Sequence, residues 1–232
     1  ELVCGPHTDR SSASNGEGCL NGPRSYAVET IGGSTDGIVT SKNERAVTVI
    51  DITSPSDPTI VAMVYDDSDK CLDRPNDIAI ATIGDSTYAV VAAANDDGIA
   101  IIDISDPTSP THVISIVDDA TRELEQTYGV AIATIGGSTY AVAVGYQDDG
   151  IAIIDISTPA SPVYVGELED GTHTERCSAA NGERCLNGPT SVAVETIGGS
   201  TYAIVTSKNE RAVTVIDITT PSDPTIVAMV YD

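Results

Sequence analysis

The chain repeats itself, and the repeat limits the fold before any single residue does. Thr-Ile-Gly begins at Thr30, Thr82, Thr134 and Thr196, at spacings of 52, 52 and 62 residues. An apolar run closing on Asp-Ile recurs with its aspartates at Asp51, Asp103, Asp155 and Asp217, at the same spacings. Two independent markers in step mean four copies of one structural unit. Residues 190–232 match 24–66 at 38 of 43 positions under a shift of 166, the distance spanned by all three spacings, and 167–189 aligns without gaps to 1–23. Three units are thus duplicated as a block, and the fourth begins a second copy. Glu1-Leu2 corresponds to Glu167-Leu168 at a strand end, so the sequence reads as a processed chain or as a window on a longer tandem array.

Each unit reads as four short strands. In the second they fall near 77–83, 87–94, 99–105 and 111–117, separated by Gly84-Asp85-Ser86, Asn95-Asp96-Asp97-Gly98 and Asp106-Pro107-Thr108-Ser109-Pro110. Gly tolerates positive φ, Asn and Asp bond their own backbone, and Pro fixes φ, so these are turns for physical reasons. Ile, Val, Thr and Ala dominate the strands, where β-branched side chains fit a pleated surface. No sustained 3.6-residue period exists, and the one expected helical turn lies around Ala120–Gln126. Four antiparallel strands per unit of this length predict an all-β fold, a β-propeller of four-stranded blades with four blades in this chain. A β-sandwich is the main rival, but it does not explain identical turns in all four units. The predicted boundaries are 1–23 for the end of a preceding blade and a connector, then blades at 24–75, 76–127, 128–189 (with a ten-residue insertion) and 190–232.

The runs AVTVIDITSPSDPT, GIAIIDISDPTSPT, GIAIIDISTPASPV and AVTVIDITTPSDPT resemble the LVIVD-repeat propellers, in which an apolar strand ends in Asp and a Pro-containing turn follows. The resemblance covers essentially residues 24–232. It implies a secreted or cell-surface microbial propeller, of a kind often found in large multi-repeat proteins without assigned chemistry. It speaks to architecture and hardly to activity. The chain contains no Trp, so the partner sites of WD and kelch propellers do not carry over.

Charge narrows the partners. Thirty-five acidic residues against 11 basic ones give a net charge of -24, which repels phosphate backbones and anionic lipid, so neither nucleic acid nor a membrane surface is expected. No apolar run approaches the roughly 18 residues needed to cross a bilayer.

All five cysteines fall in connections between blades. Cys19, Cys71 and Cys185 occupy equivalent Cys-Leu-x-x-Pro places. Stacked sheets lie about 10 Å apart, whereas bridged Cα atoms lie within roughly 7 Å, so equivalents on adjacent blades should not pair. Local closure favours Cys177–Cys185 and Cys4–Cys19, leaving Cys71 unpaired or available for an intermolecular link; reduced loop thiols are the alternative. The spacing is not that of a zinc site.

Four groups of carboxylates invite a chemical reading. Asp51, Asp103, Asp155 and Asp217 recur in every unit, which points to accepting backbone N–H groups in the following turn. Asp96-Asp97-Gly98 and Asp148-Asp149-Gly150 offer hard oxygens suited to Ca2+, against the plainer reading of tight turns with exposed Asp. The counterparts in the outer units read Lys-Asn-Glu-Arg, and neither follows the spacing of a known calcium loop. Asp66-Asp67-Ser68-Asp69 and Asp118-Asp119 are equally open to both readings. Glu29 and Glu195 replace Ala81 and Ala133 in first strands, and in a six-bladed ring they would face each other across the axial channel. His7 and His173 are copies in equivalent loops, His112 lies in a strand, and no nucleophile elbow, HExxH or phosphate loop is present.

These observations lead to an extracellular structural or adhesive repeat protein, not an enzyme, that requires no cofactor. Its expected partners are further copies of itself, in a homo-oligomer or surface filament, and O-linked glycans or extracellular polysaccharide on its Ser/Thr/Pro turns. A calcium- or glycan-binding module is the alternative, with a propeller hydrolase behind it.

Overall fold

Sixteen strands form among the described residues, four to a repeat, because each repeat supplies four β-branched runs separated by three turn sequences too short for anything but hairpins. The computed structural model describes residues 20–67, 69–119, 122–169 and 185–231. Blade 1 is β1 (Pro23–Ile31), β2 (Ser34–Ser41), β3 (Ala46–Asp51) and β4 (Thr59–Tyr65). Blade 2 is β5 (Pro75–Ile83), β6 (Ser86–Ala93), β7 (Gly98–Asp103) and β8 (Thr111–Val117). Blade 3 is β9 (Thr127–Ile135), β10 (Ser138–Gly145), β11 (Gly150–Asp155) and β12 (Val163–Glu169). Blade 4 is β13 (Pro189–Ile197), β14 (Ser200–Ser207), β15 (Ala212–Asp217) and β16 (Thr225–Tyr231).

Strand order within every sheet follows the chain, and all pairs are antiparallel. The first strands meet in succession, β1 on β5, β5 on β9 and β9 on β13, so the blades stack in chain order with their first strands converging. This is the β-propeller arrangement.

Burial depends on the neighbour as well as on the sequence. β3 and β15 have the same sequence, AVTVID, yet the first five residues of β3 are buried whereas Val213 in β15 is 38% exposed. Blade 2 lies against β3, and nothing described lies beyond β15. The apolar core accordingly divides into one cluster per interface. Ile38 and Val47 pack with Leu72, Ile102 and Ile104 between blades 1 and 2. Val90 and Ile101 pack with Leu124, Ala141 and Ile154 between blades 2 and 3. Val142 and Ile153 pack with Leu186, Val205 and Ile216 between blades 3 and 4. Each fully buried Ile or Leu contributes about 1.5–3 kcal/mol, so the interfaces hold the array together. Close approach imposes glycine at position 166, where a Cβ would lie 2.0 Å from the Pro221 carbonyl oxygen of the next blade.

Two local expectations are corrected. The ladders of the third strands stop at Asp103 and its equivalents, two residues earlier than expected in the second unit, because the Asp side chain itself takes the Ser105 amide. The helical turn expected around Ala120–Gln126 does not form over Arg122–Gln126, its described part. There the amides of Leu124, Glu125 and Gln126 bond carboxylates of Asp118, Asp148 and Asp97 instead of closing helical bonds.

Candidate functional site: the connector face

At one end of each blade, the recurring aspartate starts a relay. Asp51, Asp103, Asp155 and Asp217 each accept the amide of the residue two on, Thr53, Ser105, Ser157 and Thr219, at 2.8, 2.9, 2.8 and 2.8 Å. Those hydroxyls in turn accept the amides of Thr35, Thr87, Thr139 and Thr201, all at 2.9 Å. An Asp turn followed by a hydroxyl bridge thus ties the third hairpin to the second strand in every blade. Thr53, through its amide and then its hydroxyl, holds the Asp51 carboxyl below the usual carboxylate range.

At the opposite end lie the turns between second and third strands and the connectors that enter each blade. Asp96 accepts the Asp73 amide at 2.6 Å and Asp148 accepts the Glu125 amide at 2.6 Å, both within the blade's own incoming connector. The next residue crosses to the following blade: Asp97 accepts the Gln126 amide at 2.8 Å, and Asp149 accepts the Gly188 amide at 2.7 Å. Arg45 holds the same place in blade 1 and reaches Asp66 and, at 3.2 Å, Asp73 of the connector into blade 2. Arg45, Asp97, Asp149 and Arg211 share a left-handed backbone, with φ of 53°, 51°, 55° and 56°. That conformation is uncommon for residues with a Cβ, and at Arg45, Asp97 and Asp149 it accompanies a side chain that reaches the next connector. Burial, followed by the charges of neighbouring acidic residues, raises the carboxyls of Asp96 and Asp148, partly offset by their amide donors.

The connectors are pinned by Leu72, Leu124 and Leu186, each fully buried. The residue before each leucine is Cys71, Glu123 or Cys185. Cys71 is a free, buried thiol, and burial pushes its ionisation far above the ordinary range. Cys185 is buried and is not free. Cys4, Cys19 and Cys177, with His7 and His173, lie outside the described residues. Glu123 sits beneath Gly150, where a Cβ would fall 2.7 Å from the Glu123 carboxylate. Burial first, then Asp148, Glu169, Glu167 and Asp118, push its carboxyl up to about 8.

Arg45, Asp66, Asp67, Asp69, Asp96 and Cys71 line a cavity of about 420 Å3 that also takes in Ser115 and Val117. Lys70 pairs with Asp67, and Leu72 donates its amide to Asp66 at 3.0 Å. Among the described residues no three His, Cys, Asp or Glu side chains converge in a way that would hold a metal ion. Ser115 lies 2.8 Å from His112 Nε2, a pair with no signature in the sequence. Burial lowers the His112 pKa, and a backbone bond at Ile114 supports the ring. Glu29 and Glu195 bond locally, each accepting the amide of the following threonine at 3.1 and 3.3 Å.

A second cavity, of about 340 Å3, separates blade 1 from the third turn of blade 2 and is lined by Ile31, Asp36, Asp51, Asp106 and Pro107. Asp36 stands where the other blades carry Tyr88, Tyr140 and Tyr202. It is 1% exposed, its Oδ2 has no hydrogen-bond partner, and burial raises its pKa. The cavity thus opens beside the one blade whose second strand carries Asp in place of Tyr.

An apolar third strand ending in Asp, followed by the amide relay, is the feature that recurs from blade to blade, and residues 80–118 and 136–170 match the family model described as LVIVD repeat. Those two stretches, in blades 2 and 3, match LVIVD repeats. Solved structures similar to this chain share its fold at low identity. A functionally unknown protein from Desulfotomaculum acetoxidans superposes with a TM-score of 0.58 at 15% identity, covering 90% of this chain and 56% of that one. A protein from Lactobacillus plantarum gives 0.63 at 14%, covering 90% and 57%. A thermostable family-43 glycoside hydrolase gives 0.56 at 13%, covering 92% and 74%. The chain spans just over half the length of the first two. No curated protein matches it in sequence.

Proposed function

We propose that the chain is a structural or adhesive element of an extracellular surface, built of tandem LVIVD blades whose polar side chains hold one blade to the next. The observation that supports this reading is the use of the hairpin carboxylates. Asp96, Asp97, Asp148 and Asp149 would be the natural ligands of an incoming cation, and each commits an oxygen to a main-chain amide of its own or the following connector. Bridges Cys177–Cys185 and Cys4–Cys19 would close the long connectors in an oxidising compartment, and the Ser/Thr/Pro turns would carry O-linked sugar or meet polysaccharide. Copies of the protein would associate through the acidic connector face or its loops. Sedimentation velocity over about a hundredfold range of concentration tests the assembly: association beyond the monomer supports it, and one monomeric species throughout, with or without reductant, refutes it.

A calcium- or glycan-binding module is the second reading, favoured by the cavity that Asp66, Asp67, Asp69 and Asp96 line. Calorimetry with calcium separates the two. The scaffold reading expects no saturable heat; a saturable signal lost in Asp96→Asn and Asp148→Asn would replace it.

A further inference from the structure

The outer face of blade 4 is an interface without its other half. Positions buried where blade 1 meets blade 2 recur on blade 4 in the open: Ile31 is 6% exposed and Ile197 61%, Val47 1% and Val213 38%, Val64 6% and Val230 73%. Strand register puts the open residues on one face, with Thr206 opposite Val213 and Val213 opposite Val230 in one row, and Ala193, Ile204, Val215 and Ala228 in the next. The same chain therefore shows what covers such a face, because blades 1 and 4 are near-copies and blade 1 is covered by blade 2.

Two polar contacts make that cover specific. Ser25 donates to Asp77 Oδ1 at 2.7 Å across the first interface, and Arg45 pairs with Asp73 at 3.2 Å. Asp77 also accepts the Val130 amide of blade 3 at 3.1 Å, so one carboxylate joins three blades. On blade 4 the counterparts of Ser25 and Arg45 are Ser191 and Arg211, both exposed. The places of Asp73 and Asp77 read Asn21 and Ser25 in blade 1, Glu125 and Gly129 in blade 3, and Asn187 and Ser191 in blade 4. Aspartate stands at both places in blade 2 alone. A second copy presenting its first blade would meet Ser191 and Arg211 with Ser25 and Asn21, which supply neither carboxylate.

We propose that the open face of blade 4 is a docking surface for one further blade of the β5–β8 kind, whose counterparts of Asp77 and Asp73 engage Ser191 and Arg211. Such a blade can be joined after β16 for the test, since Tyr231 corresponds to Tyr65, from which the connector Asp66–Arg74 leads into β5. The inference rests on the tandem-array reading only in that blades add in sequence; self-association can fail its own test without touching this one.

The experiment appends a copy of residues 67–119 after Asp232 of the full chain and places a reporter thiol on the face as Thr206→Cys. Thr206 is exposed, whereas its counterpart Thr40 is fully buried under blade 2. Maleimide labelling at position 206 is followed by mass spectrometry. In the unextended chain the thiol should react at one rate at every protein concentration. In the extended chain the rate should fall by about thirtyfold or more. Replacing the appended copies of Asp73 by Asn and Asp77 by Ser, as in blade 1, should return most of the lost reactivity. Unchanged labelling on extension overturns the proposal, whether the added blade folds elsewhere or not at all. Equal protection by both extensions overturns its specificity, and protection of the unextended chain that grows with concentration places a second copy there instead.

Discussion

Glu123→Gln isolates the most strongly perturbed carboxyl of the connector face. Glu123 is half-buried beneath Gly150 and faces Asp118, Asp148, Glu167 and Glu169, with the Tyr164 hydroxyl accepting its amide at 3.2 Å. Its carboxyl ionises at about 8 in the fold, against an ordinary 4.5. Because the folded value is the higher one, the contribution to stability is fully present below pH 4.5 and is lost as pH rises through 8. At about 1.4 kcal/mol per tenfold change, that gap corresponds to a little under 5 kcal/mol for a site closed to water. Glu123 is partly solvated and its neighbours are screened, which brings the expected effect to about 1–2 kcal/mol. Urea unfolding from pH 4 to pH 9 measures it. Stability of the unsubstituted protein should decline across this range, since Asp36, Asp96, Asp118 and Asp148 are raised as well. Glu123→Gln should match it within a few tenths of a kcal/mol at pH 4 and exceed it by about 1–2 kcal/mol at pH 9. Parallel profiles for the two proteins would refute the reasoning, because the shift would then have no energetic consequence.

Three further variants test the packing. Asp36→Tyr with Gly37→Ala restores the residues of the other blades, fills the cavity beside Pro107 and removes an orphaned carboxylate oxygen; thermal unfolding should show a gain of about 1–2 kcal/mol. Gly166→Ala drives a Cβ against the Pro221 carbonyl and should cost about 2 kcal/mol or more, read as a lower urea midpoint with blade 4 unfolding first. Leu124→Ala empties a fully buried position between blades 2 and 3 and should cost about 2–5 kcal/mol in chemical denaturation.

Strands and hairpins are legible in the sequence because alternation, β-branching and turn residues act locally, and the 52-residue spacing places the units in register. The relay from Asp51 through Thr53 to Thr35 is legible in part: an Asp ending every third strand announces a turn, but not the hydroxyl bridge after it. Asp97 and Asp149 show where sequence reasoning stops. A carboxylate that caps a main-chain amide of the next blade leaves no pattern at the far end, since every residue but proline has an amide, so these aspartates resemble calcium ligands. Glu123 is hidden for a related reason. The Cys-Leu marker of the connectors lacks its cysteine in the third blade, and the conserved element there is the buried leucine. Asp36 becomes informative only when the four units are superposed and a cavity is seen beside the one blade that lacks the tyrosine.

Methyl-resolved NOE spectroscopy tests the central claim, that the blades stack in chain order through three separate apolar interfaces. The account predicts cross-peaks joining Ile38 to Ile102 or Ile104, Ile101 to Ile154, and Ile153 to Ile216. Cross-peaks joining Ile38 to Ile154, or the absence of contacts between sheets, would contradict it.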